Sequence, residues 1–169
     1  MFKKLHHVAY RCRDAAETVD FYTNVIGMDF AAAIVQDAVP SLGLPEPHNH
    51  IFFEMDDGSH LAFFDILGSD ERLTPVDNDW AQHLALEVES DARAEEIAGR
   101  LRARNVEVLG PVRHGEVARS WYFFDPSGHR MEMSVRGELE AGVWTALRAS
   151  ARDDLERWTM RKQQAAHAA

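Results

Sequence analysis

Glu132 stands between Met131 and Met133, in a stretch that alternates apolar, charged and apolar side chains. On a strand, that alternation puts the carboxylate on the face opposite its two Met neighbours. A carboxylate turned toward a concave interior needs a partner, and a metal ion is one that satisfies it. Two histidines occupy positions that could complete such a centre. His7 and His83 each open the same pattern of His, apolar, Ala, apolar, charged, apolar, in residues 7–12 and 83–88. A lone strand histidine is more often an ordinary hydrogen-bonded residue than a ligand. Two at equivalent places, with a mid-strand Glu in the same chain, make a ligand set the better reading. Two imidazoles and one carboxylate can hold one face of an octahedral ion and leave the other positions open, which suits non-haem Fe(II) oxygen chemistry. Closed tetrahedral zinc sites usually include Cys.

The elements that must position these groups come in two similar series. Residues 5–12 read as a strand, Asp14 as the N-cap of a helix over 15–26 with Glu17 in capping-box position, and Gly27 as its stop. A strand over 28–35, a loop over 36–49 punctuated by Pro40, Pro45 and Pro47, and a hairpin of 50–55 and 60–66 turning at Asp57-Gly58 follow. Residues 67–79, acidic and turn-rich, are the expected linker. The order then repeats: a strand over 82–88, a helix capped by Asp91 and running to about 104, ended by Asn105, a strand over 106–112, and a hairpin of 118–124 and 130–135. Asp125-Pro126-Ser127-Gly128 supplies the chemistry of the last turn. The chain therefore reads as an α+β fold of two tandem βαβββ modules, 1–68 and 80–136, within one structural domain. Residues 137–169 add a C-terminal helix over 138–166, with Leu139, Val143, Leu147, Ala151, Leu155 and Trp158 on one stripe.

Composition narrows the function classes. A net charge of −10 over 169 residues argues against a nucleic-acid surface, since nothing offsets phosphate repulsion. One cysteine, Cys12, excludes an internal disulfide and makes the cytoplasm the default compartment. The first residues carry no signal-peptide apolar core, and no apolar run approaches a membrane span.

The repeat, the paired histidines and the Asp-Pro-x-Gly turn leading to Glu132 resemble the vicinal oxygen chelate superfamily over about residues 5–135. That superfamily includes glyoxalases, fosfomycin- and bleomycin-resistance proteins and type I extradiol dioxygenases. The resemblance implies a curved mixed sheet formed by the two modules around a metal held by His7, His83 and Glu132. His6 competes with His7, but the spacing to Asp14 and the repeat with His83 favour His7. It also implies Fe(II), with Mn, Ni, Co or Zn on the same ligands according to supply. His114, Tyr122, the Asp-Pro-Ser-Gly turn and Glu132 are similar to the extradiol signature, with Trp121 as a departure from it. The resemblance thus implies ring cleavage of a catechol-type substrate with O₂. Tyr122 would act on a substrate oxygen, with His114 and His60 as proton donors, and His50 and Phe52 would line the substrate.

Ala62 corresponds by the repeat to Glu132 and cannot supply the additional ligand or base expected of a glyoxalase or epimerase. Isomerase or lyase chemistry on a small chelated substrate is the alternative enzyme reading, with Glu54 on the neighbouring strand. A metal-free sequestering protein of the bleomycin-resistance kind is the non-enzyme one. A fosfomycin-type transferase shares the three ligands, but no clear basic phosphonate-binding loop is present. A homodimer is expected from the added apolar helix, with the modules pairing within a chain or exchanging between two. His129 and His167 are read as surface residues.

Overall fold

A computed structural model describes residues 1–73 and 79–167. The expected α+β architecture is present. In the first module, β1 (His7–Cys12), β2 (Asp29–Gln36), β3 (His48–Glu54) and β4 (His60–Ile66) form a four-stranded sheet in the order β1-β4-β3-β2. In the second, β5 (Leu84–Glu87), β6 (Leu109–His114), β7 (Ala118–Phe124) and β8 (Arg130–Arg136) form a sheet in the order β5-β8-β7-β6. In each, the first strand runs parallel to the last and the rest are antiparallel. The repeat read from sequence holds in the register: Phe52 pairs with Ala62 as Tyr122 pairs with Glu132.

Helix α1 (Ala15–Asp20) starts as the sequence predicts, with the Asp14 side chain accepting from the Glu17 amide at 2.7 Å. It does not continue regularly. Residues Phe21–Ile26 widen into a π-helical turn ending at Gly27, whose φ of 92° favours glycine. The wider turn lets Phe21, Tyr22, Val25 and Ile26 all face the core. Helix α2 (Asp91–Ala103) is capped by Ser90 rather than Asp91, because the Ser90 hydroxyl accepts from the Arg93 amide. The loop expected over 36–49 is shorter than read, since His48 and Asn49 already belong to β3. A short 3₁₀ turn, Asp79–Ala81, precedes β5. The middle of the expected linker, 74–78, lies outside the described residues.

The two sheets share one core, in which Tyr22, Phe53, Phe63 and Leu61 meet Leu101, Trp121, Phe123 and Met131. Polar groups also join the modules. The Tyr22 hydroxyl donates to Asp125 Oδ2 at 3.1 Å, and Arg100 donates from α2 to the Val25 and Ile26 carbonyls at 2.6 and 2.9 Å. His129, expected at the surface, is half-buried at the joint between the modules. Its amide donates to Asp125 Oδ1, Nε2 lies 2.7 Å from the Arg11 carbonyl, and its ring packs against Tyr10. The Asp-Pro-Ser-Gly turn thus serves as the joint between modules, which a local reading of four turn residues does not reveal.

With the shared core between them, both sheets turn their other faces outward. His7, Ala9 and Arg11 of β1 are exposed, as are His83 and the alternate residues Ala85 and Glu87 in the second module; every residue of β2 is exposed. Helix α3 (Glu140–His167) leaves the body after β8 and packs on neither sheet to any substantial extent. Among the described residues, no helix is long and apolar enough to cross a membrane.

Candidate metal centre

Glu132 is one of few buried charged side chains, at 8% exposure. Its strand neighbours Met131 and Met133 enter the core, so the alternation of β8 turns the carboxylate to the outer face. Glu132 Oε1 accepts from the fully buried Ser120 hydroxyl at 2.6 Å. Its Oε2 lies 3.0 Å from His83 Nε2. His83 stands just before β5, and its Nδ1 is 3.2 Å from the Trp80 carbonyl. A carbonyl only accepts, so Nδ1 carries the proton and neutral His83 presents the Nε2 lone pair to a carboxylate oxygen. Two acceptors at that distance call for a cation, either a proton on Nε2 or a metal ion.

Tyr122 shares this face. Its hydroxyl is 2.9 Å from His114 Nε2, and the Arg130 guanidinium lies 4.8 Å from its ring centroid. Burial, with the Glu132 charge as a smaller cause, pushes the Tyr122 phenol above its ordinary value. His114 is the last residue of β6, because the strand runs two residues beyond the expected end at 112. Ser120 and Arg130 escaped the sequence reading. The signal was available, since strand alternation places Ser120 on the same face as Tyr122 and Arg130 on the same face as Glu132.

The remaining predicted residues gather on the outer face of the first sheet. His7 pairs in register with His60, and its ring lies 6.3 Å from His50 and 6.2 Å from Phe52. His6 Nδ1 is 2.8 Å from His7 Nδ1. His50 stacks on Phe64 at 3.7 Å and packs on Phe52 at 4.1 Å, while its Nε2 is buried with no partner. Burial, then the neighbouring His7 and His48, lower the His50 pKa. Glu54 ends the same strand opposite His60. The structure thus brings His83, Glu132, Tyr122 and His114 together, and separately His7, His50, Phe52 and His60. Among the described residues of one chain, no three His, Cys, Asp or Glu side chains converge on a metal-sized space. A cavity of about 650 Å³ lined by Asp14, Asp20, Ile51 and Asp65 lies on the α1 side, away from both clusters.

Residues 4–133 match the family model described as the Glyoxalase/Bleomycin resistance protein/Dioxygenase superfamily. The chain belongs to that superfamily. Among its relatives in the superfamily is a 2-epi-5-epi-valiolone epimerase from Actinomyces sp., 32% identical over 145 residues, 76% of this chain and 77% of that protein. Solved superfamily structures share the fold. The fosfomycin resistance protein FosX of Listeria monocytogenes, solved with Mn(II), superposes with a TM-score of 0.59 at 21% identity, covering 85% of this chain and 99% of that one. The trypanothione-dependent glyoxalase I of Leishmania major gives 0.61 at 17% identity, covering 90% and 98%. At those identities the two structures speak to fold alone.

Proposed function

We propose that this chain is a metal-dependent epimerase or isomerase acting on a small ketone that chelates the ion through neighbouring oxygens. The observation that carries the reading is the 32% identity to an epimerase across three quarters of both chains. It favours the isomerase alternative over ring cleavage, despite Ala62 at the place where a further carboxylate was sought.

The donors present fit a divalent ion. An imidazole nitrogen and a carboxylate oxygen 3.0 Å apart match two adjacent ligands each about 2.1 Å from one ion. Ser120 fixes the other carboxylate oxygen and Trp80 fixes the imidazole tautomer, which is how ligands are commonly oriented. His83 and Glu132 would hold the ion, with His7 of a second copy as third ligand. Support for a second copy is the separation of the two clusters and the outward exposure of both sheet faces that carry them. The donor set does not choose among Mn, Fe(II), Co, Ni and Zn. When bound, the ion would act as a Lewis acid on the substrate carbonyl and acidify the neighbouring C–H.

The protein's own groups would handle the protons. Epimerisation beside a carbonyl needs a proton removed from one face of a carbon and returned to the other. Tyr122, hydrogen-bonded to His114, would hold a proton at a substrate oxygen from the second-module sheet. His60 and Glu54, opposed across β3 and β4, are the base candidates on the first-module sheet of the other copy. His50 and Phe52 would form an aromatic wall there that excludes water. The single buried thiol, Cys12, accords with the reducing cytoplasm as the place of work.

A second reading, extradiol cleavage of a catechol with Fe(II) and O₂, keeps one observation in its favour: the 2.9 Å Tyr122–His114 contact in the signature segment. One experiment separates the two. Protein loaded with Mn(II), or with Fe(II) under argon, is incubated in D₂O with 2-epi-5-epi-valiolone and related cyclic hydroxyketones, and in parallel with catechols under air. The epimerase reading expects one deuterium beside the carbonyl and no O₂ uptake. O₂ consumption with a yellow product from a catechol, without exchange into any ketone, would establish the ring-cleavage reading instead.

A further inference from the structure

Helix α3 carries an apolar stripe that no other described element of its own chain covers. Trp144, Leu147, Leu155 and Trp158 are 54%, 46%, 63% and 56% exposed, and Ala151 between them is exposed as well. A helix of 28 residues in water, held among the described residues only where it leaves β8, gains little from its own hydrogen bonds. Exposed apolar surface of this extent marks a partner surface.

The order of residues along the stripe says which partner. From Glu140 through Trp144, Leu147, Ala151, Leu155 and Trp158 to Lys162, the gaps are 4, 3, 4, 4, 3 and 4 residues. The series reads alike in both directions about Ala151. Trp144 and Trp158 are equidistant from it, as are Leu147 and Leu155, and Glu140 and Lys162. At 100° per residue all seven positions fall within one narrow face, and their mean spacing of about 3.7 residues is that of an 11-residue repeat, so the face runs almost straight along the helix. A twofold interface requires that residue i meet residue j and j meet i. A palindromic stripe meets that condition when two copies of the helix lie antiparallel.

We propose that α3 is a self-complementary dimerisation helix that pairs antiparallel with α3 of a second copy about a twofold axis at Ala151. Ala151 meets its own copy on the axis, where a small side chain lets the backbones approach. Leu147 packs on Leu155 of the other helix, and Trp144 on Trp158, on both sides of the axis. Glu140 stands opposite Lys162 at each end, so opposite charges close the seam. In the free chain Glu140 also accepts from Trp144 Nε1 at 3.0 Å and pairs with Arg136, which holds it at the stripe's edge. A parallel pairing would oppose Glu140 to Glu140 and Lys162 to Lys162. The proposal does not depend on which reaction the metal site performs.

Cysteine cross-linking of the full chain tests the geometry. Cys12 is 1% exposed and gives little background. Ala151→Cys should form a disulfide-linked dimer under mild oxidation. Ala149→Cys, on the opposite face of the helix, should stay monomeric on a non-reducing gel. Leu147→Cys should not link to itself, but should link when mixed with Leu155→Cys protein. Failure of Ala151→Cys to link, or equal linking of Ala149→Cys, overturns the pairing. Self-linking of Leu147→Cys overturns its antiparallel sense.

Discussion

His83 Nε2 faces Glu132 Oε2 across 3.0 Å while His83 Nδ1 is committed to the Trp80 carbonyl. Neither atom of the close pair has a proton to offer when the histidine is neutral, so a cation must sit between them, and on the proposed reading that cation would be a divalent ion rather than a proton on Nε2. Glu132→Ala should therefore abolish metal retention after extensive dialysis, measured by elemental analysis. A variant that still holds one ion per site would remove Glu132 from the ligand set.

Ser120 acts on the carboxylate oxygen that the proposed ion would not use. Replacing it with Ala frees Glu132 Oε1 from its 2.6 Å hydrogen bond inside a buried strand pair. Affinity for Mn(II), measured by titration calorimetry, should fall by roughly 10–100-fold, the usual effect of losing a ligand's supporting partner. Unchanged affinity would mean that the packing of β7 on β8 alone orients Glu132.

Tyr122→Phe separates proton handling from metal holding. The hydroxyl meets His114 at 2.9 Å and also lies beside Glu132, but the Ser120 hydrogen bond and the His83 contact that hold the carboxylate remain in the variant, so metal content should stay as in the parent. Solvent-deuterium exchange into a bound ketone should slow by about 10²–10⁴-fold, the range for a positioned acid–base group. Loss of the metal in this variant would give Tyr122 a structural role.

Much of this was legible in the residues, for a local reason. A period of two along β8 and the match between 7–12 and 83–88 fix which face each candidate occupies, and the observed registers of Phe52 with Ala62 and Tyr122 with Glu132 follow. How the two modules sit against each other was not legible. That depends on Tyr22 reaching Asp125, on Arg100 closing the end of the first helix, and on His129 reaching the Arg11 carbonyl. These contacts are distant in sequence, and no periodicity encodes them. The same packing turns the His7 cluster and the Glu132 cluster to separate outer faces. The π-helical turn at Phe21–Ile26 was hidden too, because its cause is the demand of a shared core for four inward side chains.

The joint between modules should be measurable as stability. Tyr22 is fully buried and donates to a carboxyl group that is itself buried, and burial holds the Asp125 pKa above the ordinary carboxylate value. Tyr22→Phe leaves the ring and removes the donor. The expected loss is about 1–3 kcal/mol, read as a lower urea midpoint at unchanged slope. An unchanged midpoint would show that Asp125 is satisfied by its backbone partners alone.

Alkaline pH should loosen the same region. Burial pushes the Cys12 thiol from 9.0 to about 11, and burial followed by the Asp125 charge raises the Tyr22 phenol well above its ordinary value. The folded protein thus holds these protons more tightly than the unfolded chain. Stability from Cys12 is complete below pH 9.0 and is lost as pH rises toward about 11. Denaturation midpoints between pH 8 and 11 should fall over that window, and fall less in Cys12→Ala protein. A parallel decline in the two proteins would exclude Cys12 as a contributor.

The central claim is that two chains share each metal site, His7 coming from one and His83 with Glu132 from the other. Its most direct measurement is metal content of a mixed dimer. His7→Ala and Glu132→Ala chains, carrying different tags, are each purified, mixed, and recovered as the heterodimer. Each variant alone should be empty, and the heterodimer should hold one ion, because one of its two sites regains all three ligands. A heterodimer as empty as its parents, with the unaltered protein full, would contradict the shared site.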